Sequence, residues 1–256
     1  MKQLFFLMLL PLVYVVSCAD LERDNLLDPL NPQSFTERAI LVEMFVNDST
    51  GYDYCEYAVE AMEEISLREE NEGKIITLEY HVTKSGWNDP LSLNETNQRY
   101  HEYIPSTNER GIPDAFFNGT GLRVQGASEE NIYNRYAAAV DQLLGDTGYF
   151  LIEAEKKIAG NVINLDVTIA RLGNSDKSDL SVNAVVYENR GTSGQRFLVK
   201  KILPRQIISR FDSGQVKNFS FSAAMSANDT MERMKVVVFL QDQNSSGREI
   251  YQVAQF

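Results

Sequence analysis

Residues 39–65, AILVEMFVNDSTGYDYCEYAVEAMEEI, contain the pattern that decides the fold of the first half of the chain. The apolar run Ala39–Val46 is short and rich in β-branched residues, which predicts a buried strand. The polar cluster Asn47–Gly51 after it is typical of a turn. Apolar residues then recur on one face of a helix, at Ala58, Ala61, Met62 and Ile65. The stretch therefore predicts a strand, a turn and a helix, with Cys55 near the start of the helix.

Strands and helices continue to alternate beyond this stretch. The predicted elements are a strand (Lys74–His81), a helix (about Leu93–Tyr103), a strand (Asp114–Phe117), a returning strand (Gly121–Gly126) and a helix (Ser128 to about Leu144). Asn118-Gly119 is a strong hairpin-turn signal between the two later strands. Ser128 has the character of a helix N-cap. The predicted order is strand, helix, strand, helix, strand, strand, helix.

After Gly148 the pattern changes, and no long helical periodicity remains. Strand-like runs are predicted at Tyr149–Lys157, Val162–Arg171, Leu180–Tyr187, Phe197–Ile202, Val216–Phe221, Met234–Gln241 and Glu249–Phe256. Turn clusters such as Gly173-Asn174-Ser175 separate them. About seven short strands in such a stretch predict an all-β sandwich of immunoglobulin-like type. The predicted domain boundary lies near Leu144–Gly148.

The N-terminus has the pattern of a secretory signal peptide. Lys2 precedes an apolar run, Leu4–Val16, and small residues lead to Cys18. This ending resembles a bacterial lipobox, in which Cys18 would carry lipid such as palmitate and begin the mature chain. An ordinary signal peptide beside a chance cysteine stays possible, as does an uncleaved anchor, although the run is short for one. Residues 18–37 are polar, acidic and proline-containing, which predicts an extended tether.

Composition excludes several classes of function. The net charge is −12 and the pI is about 4.7, so we expect neither nucleic acid nor an anionic lipid surface as an electrostatic partner. The two histidines, His81 and His101, stand apart from any cysteine pair or metal-binding motif, so no metal is expected. No nucleotide-binding fingerprint is present, and no cofactor is expected.

The order of elements in the first half agrees with the thioredoxin fold. Cys55 stands at a helix start after the first strand, and Ile112-Pro113 stands before a strand, where thioredoxin-like proteins carry a cis-proline. Phe116-Phe117-Asn118-Gly119 is similar to the aromatic strand and turn that follow that proline. With the lipobox-like Cys18, the chain resembles bacterial thioredoxin-like outer-membrane lipoproteins related to a twenty-eight-kilodalton outer-membrane protein.

The resemblance implies an α/β thioredoxin-like domain followed by an all-β immunoglobulin-like sandwich. The implied segments are a lipoprotein signal peptide (1–17), a lipidated cysteine with an acidic tether (18–37), the thioredoxin-like domain (38–146) and the β-sandwich (147–256). It also implies an exported bacterial lipoprotein of the outer membrane, on its periplasmic or its surface face. The membrane, through Cys18, and an envelope protein are the implied partners.

The chain departs from that family in its chemistry. The family motif Trp-Cys-x-x-Cys corresponds here to Tyr54-Cys55-Glu56-Tyr57-Ala58, so the second cysteine is missing; a register with Tyr52 at the first position loses a sulfur equally. A dithiol cycle needs that second thiol. A helix N-terminus favours a Cys55 thiolate, but the neighbouring carboxylates, Asp53 among them, oppose it.

Two hypotheses of function follow, and a third stays open. The first is a non-enzymatic binding or assembly module whose groove is formed by Tyr54, Cys55, Tyr57, Ile112 and Pro113. The second is a monothiol redox protein that forms mixed disulfides through Cys55. The third is an envelope structural protein that is anchored by lipid and has no specific ligand.

Overall fold

The computed structural model describes residues 24–48, 53–83, 88–191 and 195–256. Its α-helices are α1 (Asp53–Ser66), α2 (Asn94–Tyr103) and α3 (Ile132–Leu143). The strands up to the predicted boundary are β1 (Thr36–Glu37), β2 (Ile40–Val46), β3 (Ile75–His81), β4 (Asp114–Phe117) and β5 (Leu122–Gln125). The remaining strands are β6 (Thr147–Gly148), β7 (Phe150–Ala159), β8 (Val162–Arg171), β9 (Lys177–Glu188), β10 (Leu198–Ile202), β11 (Gln206–Phe211), β12 (Val216–Ala224), β13 (Met234–Asp242) and β14 (Ile250–Gln255).

The first half places β2 at the centre of its strands. β2 is parallel to β3 and antiparallel to β4, which pairs with β5. Ile40, Val42 and Met44 face a core that α1 and α3 cover, whereas Leu41 and Phe45 face α2. Burial on both faces explains why β2 is one continuous apolar run instead of an alternating one. The predicted order of strands and helices in this half is confirmed.

One predicted boundary in this half is wrong. The last helix begins at Ile132, with Asn131 at the N-cap position, and not at Ser128. The Ser128 carbonyl accepts the backbone N–H groups of Asn131 and Ile132, so Ser128 begins a turn that leads into α3. The polar, acidic residues after Ser128 lie in that turn.

The second half is a pair of packed β-sheets. A three-stranded sheet, ordered β12-β8-β7, packs on β9, β11 and β13. Their inward side chains, such as Leu165, Val182 and Val238, form one apolar core. The strand Gln206–Phe211 (β11) was not predicted from the sequence. Within the described ranges it pairs with β9 alone. It leaves Ile207 61% exposed, so it lacks the apolar alternation of a core strand.

A single sheet crosses the predicted domain boundary. Its order is β14-β13-β9-β10-β3-β2-β4-β5, with β10 lying parallel to β3 through the pair Leu198 and Glu79. Both halves supply side chains to a second core on the α2 side, including Phe45, Tyr80, Val237 and Phe239. β9 and β13 are therefore buried on both faces, because one face meets each core.

The segment before the first strand is folded, which corrects the predicted tether. Side-chain oxygens of Asn25, Asp28 and Asn31 each accept the backbone N–H two residues on, at 2.9, 2.9 and 2.8 Å. Such bonds form turns, so the chain is not extended over residues 25–33. Ser34 is buried, and its hydroxyl accepts the N–H of Gly173 at 2.8 Å. An extended tether is thus ruled out over residues 25–37.

The predicted signal peptide (1–17) and lipidated Cys18 lie outside the described residues, as do the first residues of the tether. Among the described helices, none combines the length and apolar character needed to cross a bilayer.

Candidate functional site

Cys55 lies in the first turn of α1 and is only 4% exposed. It packs in the core that α1 and α3 cover, together with Tyr136 of α3. Burial raises the pKa of the Cys55 thiol to about 11, against the opposing effect of a hydrogen bond from the backbone of Asn47. The charges of Asp89 and Asp48 raise the pKa further. Cys55 is therefore a neutral thiol at physiological pH.

A buried histidine–aspartate pair lies beside this thiol. His81, at the end of β3, is 2.8 Å through Nδ1 from Oδ2 of Asp89, and both side chains are buried. Burial acts to raise the pKa of Asp89, but hydrogen bonds from His81 and from the N–H groups of Asp48 and Leu91 outweigh it and lower that pKa. In the described part of the molecule, Nε2 of His81 has no hydrogen-bond partner. The second histidine, His101, is exposed beside Arg110 and takes no part.

The carboxyl groups of Glu79 and Glu63 lie near the histidine–aspartate pair. Glu79, two residues before His81 on β3, is fully buried and accepts the backbone N–H of Phe197 at 3.0 Å. Burial raises the pKa of Glu79 to about 7 despite that hydrogen bond. Glu63 of α1 lies 3.8 Å from Arg196 and adds its negative charge near Glu79. Glu79 of β3 is therefore a carboxyl group that can be protonated near neutral pH.

The remaining predicted groove residues are divided between core and surface. Tyr57 and Ile112 are partly buried and pack on the same apolar cluster as Cys55. Pro113 is buried, and the Ile112-Pro113 peptide bond is cis. Tyr54 is 56% exposed. The structure therefore gathers Cys55, Tyr57 and Ile112 in one cluster and leaves Tyr54 at the surface.

Sequence analysis missed the buried carboxyl groups of this region. Glu79 interrupts the apolar run IITLEYH, as Glu43 interrupts ILVEMFV, and an acidic residue inside a buried strand is the signal that could have found them. Asp89 offered no such signal, because it stands in a polar loop sequence. Within the described ranges, no three histidine, cysteine or carboxylate side chains are grouped so as to hold a metal ion.

Comparison with known proteins shows a shared fold. No protein-family model matches the chain, and no curated protein matches it. Among solved structures, HBP35 of Porphyromonas gingivalis matches 86% of this chain and 75% of its own, with a TM-score of 0.60 and 12% identity. A domain of the outer membrane lipoprotein Omp28 from Porphyromonas gingivalis matches 42% of this chain and 86% of its own, with a TM-score of 0.34 and 15% identity. The chain thus has the fold of HBP35 over most of its length.

Proposed function

We propose that this chain is a lipid-anchored protein of the bacterial cell envelope that works as a binding or assembly module and not as an enzyme. In this proposal, residues 38–146 are a thioredoxin-like domain with a degenerate site, and residues 147–256 are an immunoglobulin-like sandwich. The strand order around β2, the packed sheets of the second half and the fold shared with HBP35 support this division. The lipobox-like end of the apolar N-terminal run supports anchoring at Cys18.

The state of Cys55 is the observation that carries the proposal. A thiol reacts with disulfides as the thiolate. With a pKa of about 11, Cys55 is deprotonated in about one molecule in ten thousand at pH 7. Its burial also withholds it from a partner disulfide. A monothiol redox cycle through Cys55 is therefore disfavoured, which favours the binding or assembly hypothesis over the redox one.

The surface beside this thiol is the proposed contact face. Tyr54 is exposed, and Tyr57 lies partly exposed next to it in the first turn of α1. The pKa of Tyr57 is raised chiefly by the charge of Glu129, which places an acidic side chain from the turn before α3 on the same face. Aromatic side chains give large contact areas at protein interfaces. We therefore assign the partner contact to Tyr54, Tyr57 and Ile112, and leave out the buried Pro113.

The test is the alkylation rate of Cys55 against pH, in the full-length chain in detergent with Cys18→Ser, so that one thiol reacts. The rate should still be rising above pH 9, because the thiolate forms only near pH 11. In urea the same thiol should titrate near its ordinary value of about 8.5. A native rate that levels off below pH 8 would revive the redox hypothesis and overturn the binding module.

The anchor is tested by metabolic labelling with a palmitate analogue in a bacterial host. Cys55→Ser should keep the label and the membrane location, whereas Cys18→Ser should lose both, because Cys18 is the proposed lipid acceptor. Label retained on the Cys18→Ser protein would show that the chain is not lipidated there.

A further inference from the structure

One edge of β3 lacks a strand partner along part of its length. The hydrogen bonds from Ile40 N–H to Lys74 O (2.8 Å) and from Val82 N–H to Val46 O (2.9 Å) show that even-numbered residues of this strand face β2. The Glu79 N–H faces the other way and donates to Phe197 O at 2.9 Å. Because backbone groups alternate along a strand, those of Ile75 and Thr77 also point away from β2. Among the described residues, β10 pairs with β3 at Leu198 and Glu79 and leaves Ile75–Thr77 without a strand partner on that side, where these residues are 8, 7 and 3% exposed.

This unpaired edge borders a groove of about 920 Å³ between the two halves of the molecule. Thr77 and Ile76 line one wall, and the ends of β7, β9 and β14 line the other, with Leu151, Tyr187 and Val253. We call this space the junction groove. Its volume lies in the range of sites that hold ligands, and about half of its wall residues are apolar.

The rim of the junction groove is acidic. Glu37, Glu69 and Glu72 line it and are exposed, and none of them forms an ion pair with another described residue. The rim also contains Arg68, but its guanidinium lies 3.5 Å from Glu64 and 5.2 Å from the ring centre of Tyr133. The three rim carboxylates therefore leave a net negative charge at the mouth of the junction groove.

We propose that the junction groove receives an extended, basic segment of a partner protein, which adds as a strand to Ile75–Thr77. An unpaired strand edge is a template for such addition, since the main chain supplies the hydrogen bonds and pockets take alternate side chains. Apolar side chains of the segment would enter the groove, and its lysine or arginine residues would meet Glu37, Glu69 and Glu72. A second copy of this chain is a poorer fit, because its net charge is −12.

This surface is separate from the contact face assigned to Tyr54 and Tyr57. The proposal therefore stands whether or not Cys55 is reactive, and it adds a second interaction site.

The test uses full-length protein in detergent and a fluorescent peptide of about six residues, a usual strand length, in which valine alternates with lysine. Fluorescence anisotropy should show saturable binding. A valine–glutamate peptide should bind about tenfold more weakly or not at all, because it repels the rim. The valine–lysine peptide with N-methyl groups on alternate amides should also lose binding, because it cannot donate to the β3 edge.

Two double variants locate the site on the protein. Glu69→Lys with Glu72→Lys should weaken peptide binding about tenfold, by removing two rim charges. Glu129→Lys with Glu130→Lys is the matched control, since these exposed residues lie beside the Tyr57 face, and it should leave binding unchanged. All four positions are exposed, so both proteins should melt like the parent protein.

The proposal is overturned if the peptide does not bind, if both double variants weaken binding equally, or if the N-methylated peptide binds as well as the parent peptide. Sedimentation velocity supplies a further check. Dimers that dissociate on reversal of Glu69 and Glu72 would identify a second copy as the occupant and would also refute a basic partner segment.

Discussion

Glu79 shows how one buried residue makes the stability of a protein depend on pH. Its Oε1 accepts the Phe197 N–H, but its Oε2 has no partner in the described part of the molecule. Burial therefore raises the pKa of Glu79 from 4.5 to about 7, even though His81 and Arg196 oppose the shift. A carboxyl group whose pKa is raised on folding prefers to be protonated in the folded state.

The consequence for stability has a definite sign. The contribution of Glu79 is fully present below pH 4.5 and is lost as the pH rises through about 7. The loss amounts to about 3 kcal/mol, since one pKa unit corresponds to about 1.4 kcal/mol. Urea unfolding at pH 5 and pH 8 should show most of this loss in the parent protein, and Glu79→Gln should remove most of the difference. Glu64→Gln on the exposed face of α1 is the control; an equal effect there would show that Glu79 is not the cause.

At the scale of elements, α2 is held against β2 by a buried ion pair. Arg99 donates to both carboxylate oxygens of Glu43, at 2.8 and 2.9 Å, and both side chains are almost fully buried. Arg99 also donates to Gln241 of β13 at 3.3 Å, and Gln241 donates to Tyr103 at 2.9 Å. The helix is therefore joined by polar contacts to strands from both halves of the chain.

Removing one partner of this pair should be costly. Arg99→Leu should lower the free energy of unfolding by about 3–5 kcal/mol, because it leaves Glu43 as an unpaired buried charge. The double variant Glu43→Leu with Arg99→Leu should lose less than Arg99→Leu alone, for no charge is then stranded. Arg205→Leu is the control, since its ion pair with Glu102 is partly exposed and should be worth less than about 1 kcal/mol. Urea denaturation of the parent protein and the three variants measures the differences, and a double variant less stable than Arg99→Leu would contradict this account.

At the scale of the whole molecule, the two predicted domains share one sheet and one core. Phe239 of β13 is fully buried in the core that also contains Phe45 and Tyr80 of the first half. Arg99 stacks on its ring at 5.1 Å from the centroid. Unfolding either half would expose the apolar surface of the other, so the described parts should unfold together.

Phe239→Ala tests this coupling. The helical signal in circular dichroism reports on the first half, which contains α1, α2 and α3, and the fluorescence of Phe211→Trp with Trp87→Phe reports on the core of the second half. Phe239→Ala should shift the unfolding midpoints of both signals together to lower urea concentrations, although the substitution lies in the second half. The expected loss in free energy of unfolding is about 3–5 kcal/mol. Ile207→Ala, at an exposed position of β11, should move neither signal. A helical circular dichroism transition unchanged by Phe239→Ala would show that the halves unfold separately.

The predictability of the fold differs between its parts for a physical reason. Strand and helix positions follow from local periodicity, so β2, β3, α1 and most strands of the second half were found from the sequence. The apolar run Met234–Leu240 also indicated a buried strand. It did not indicate that Val238 and Phe239 would face different cores. β11 was missed because an edge strand with one neighbour need not alternate.

What the sequence by itself determined is most of the elements, their order and the Asn118-Gly119 turn, since each depends on residues close together in the chain. The tertiary structure alone decided that β10 joins β3, that Cys55 is buried with a raised pKa, and that a junction groove opens beside β3. Gly119 shows the difference. Its φ of 104° suits a hairpin, but a Cβ there would also lie 2.3 Å from the carbonyl oxygen of Arg248 in the loop before β14. Contacts between residues this far apart in the chain depend on how whole surfaces fit, and local sequence patterns do not encode that fit.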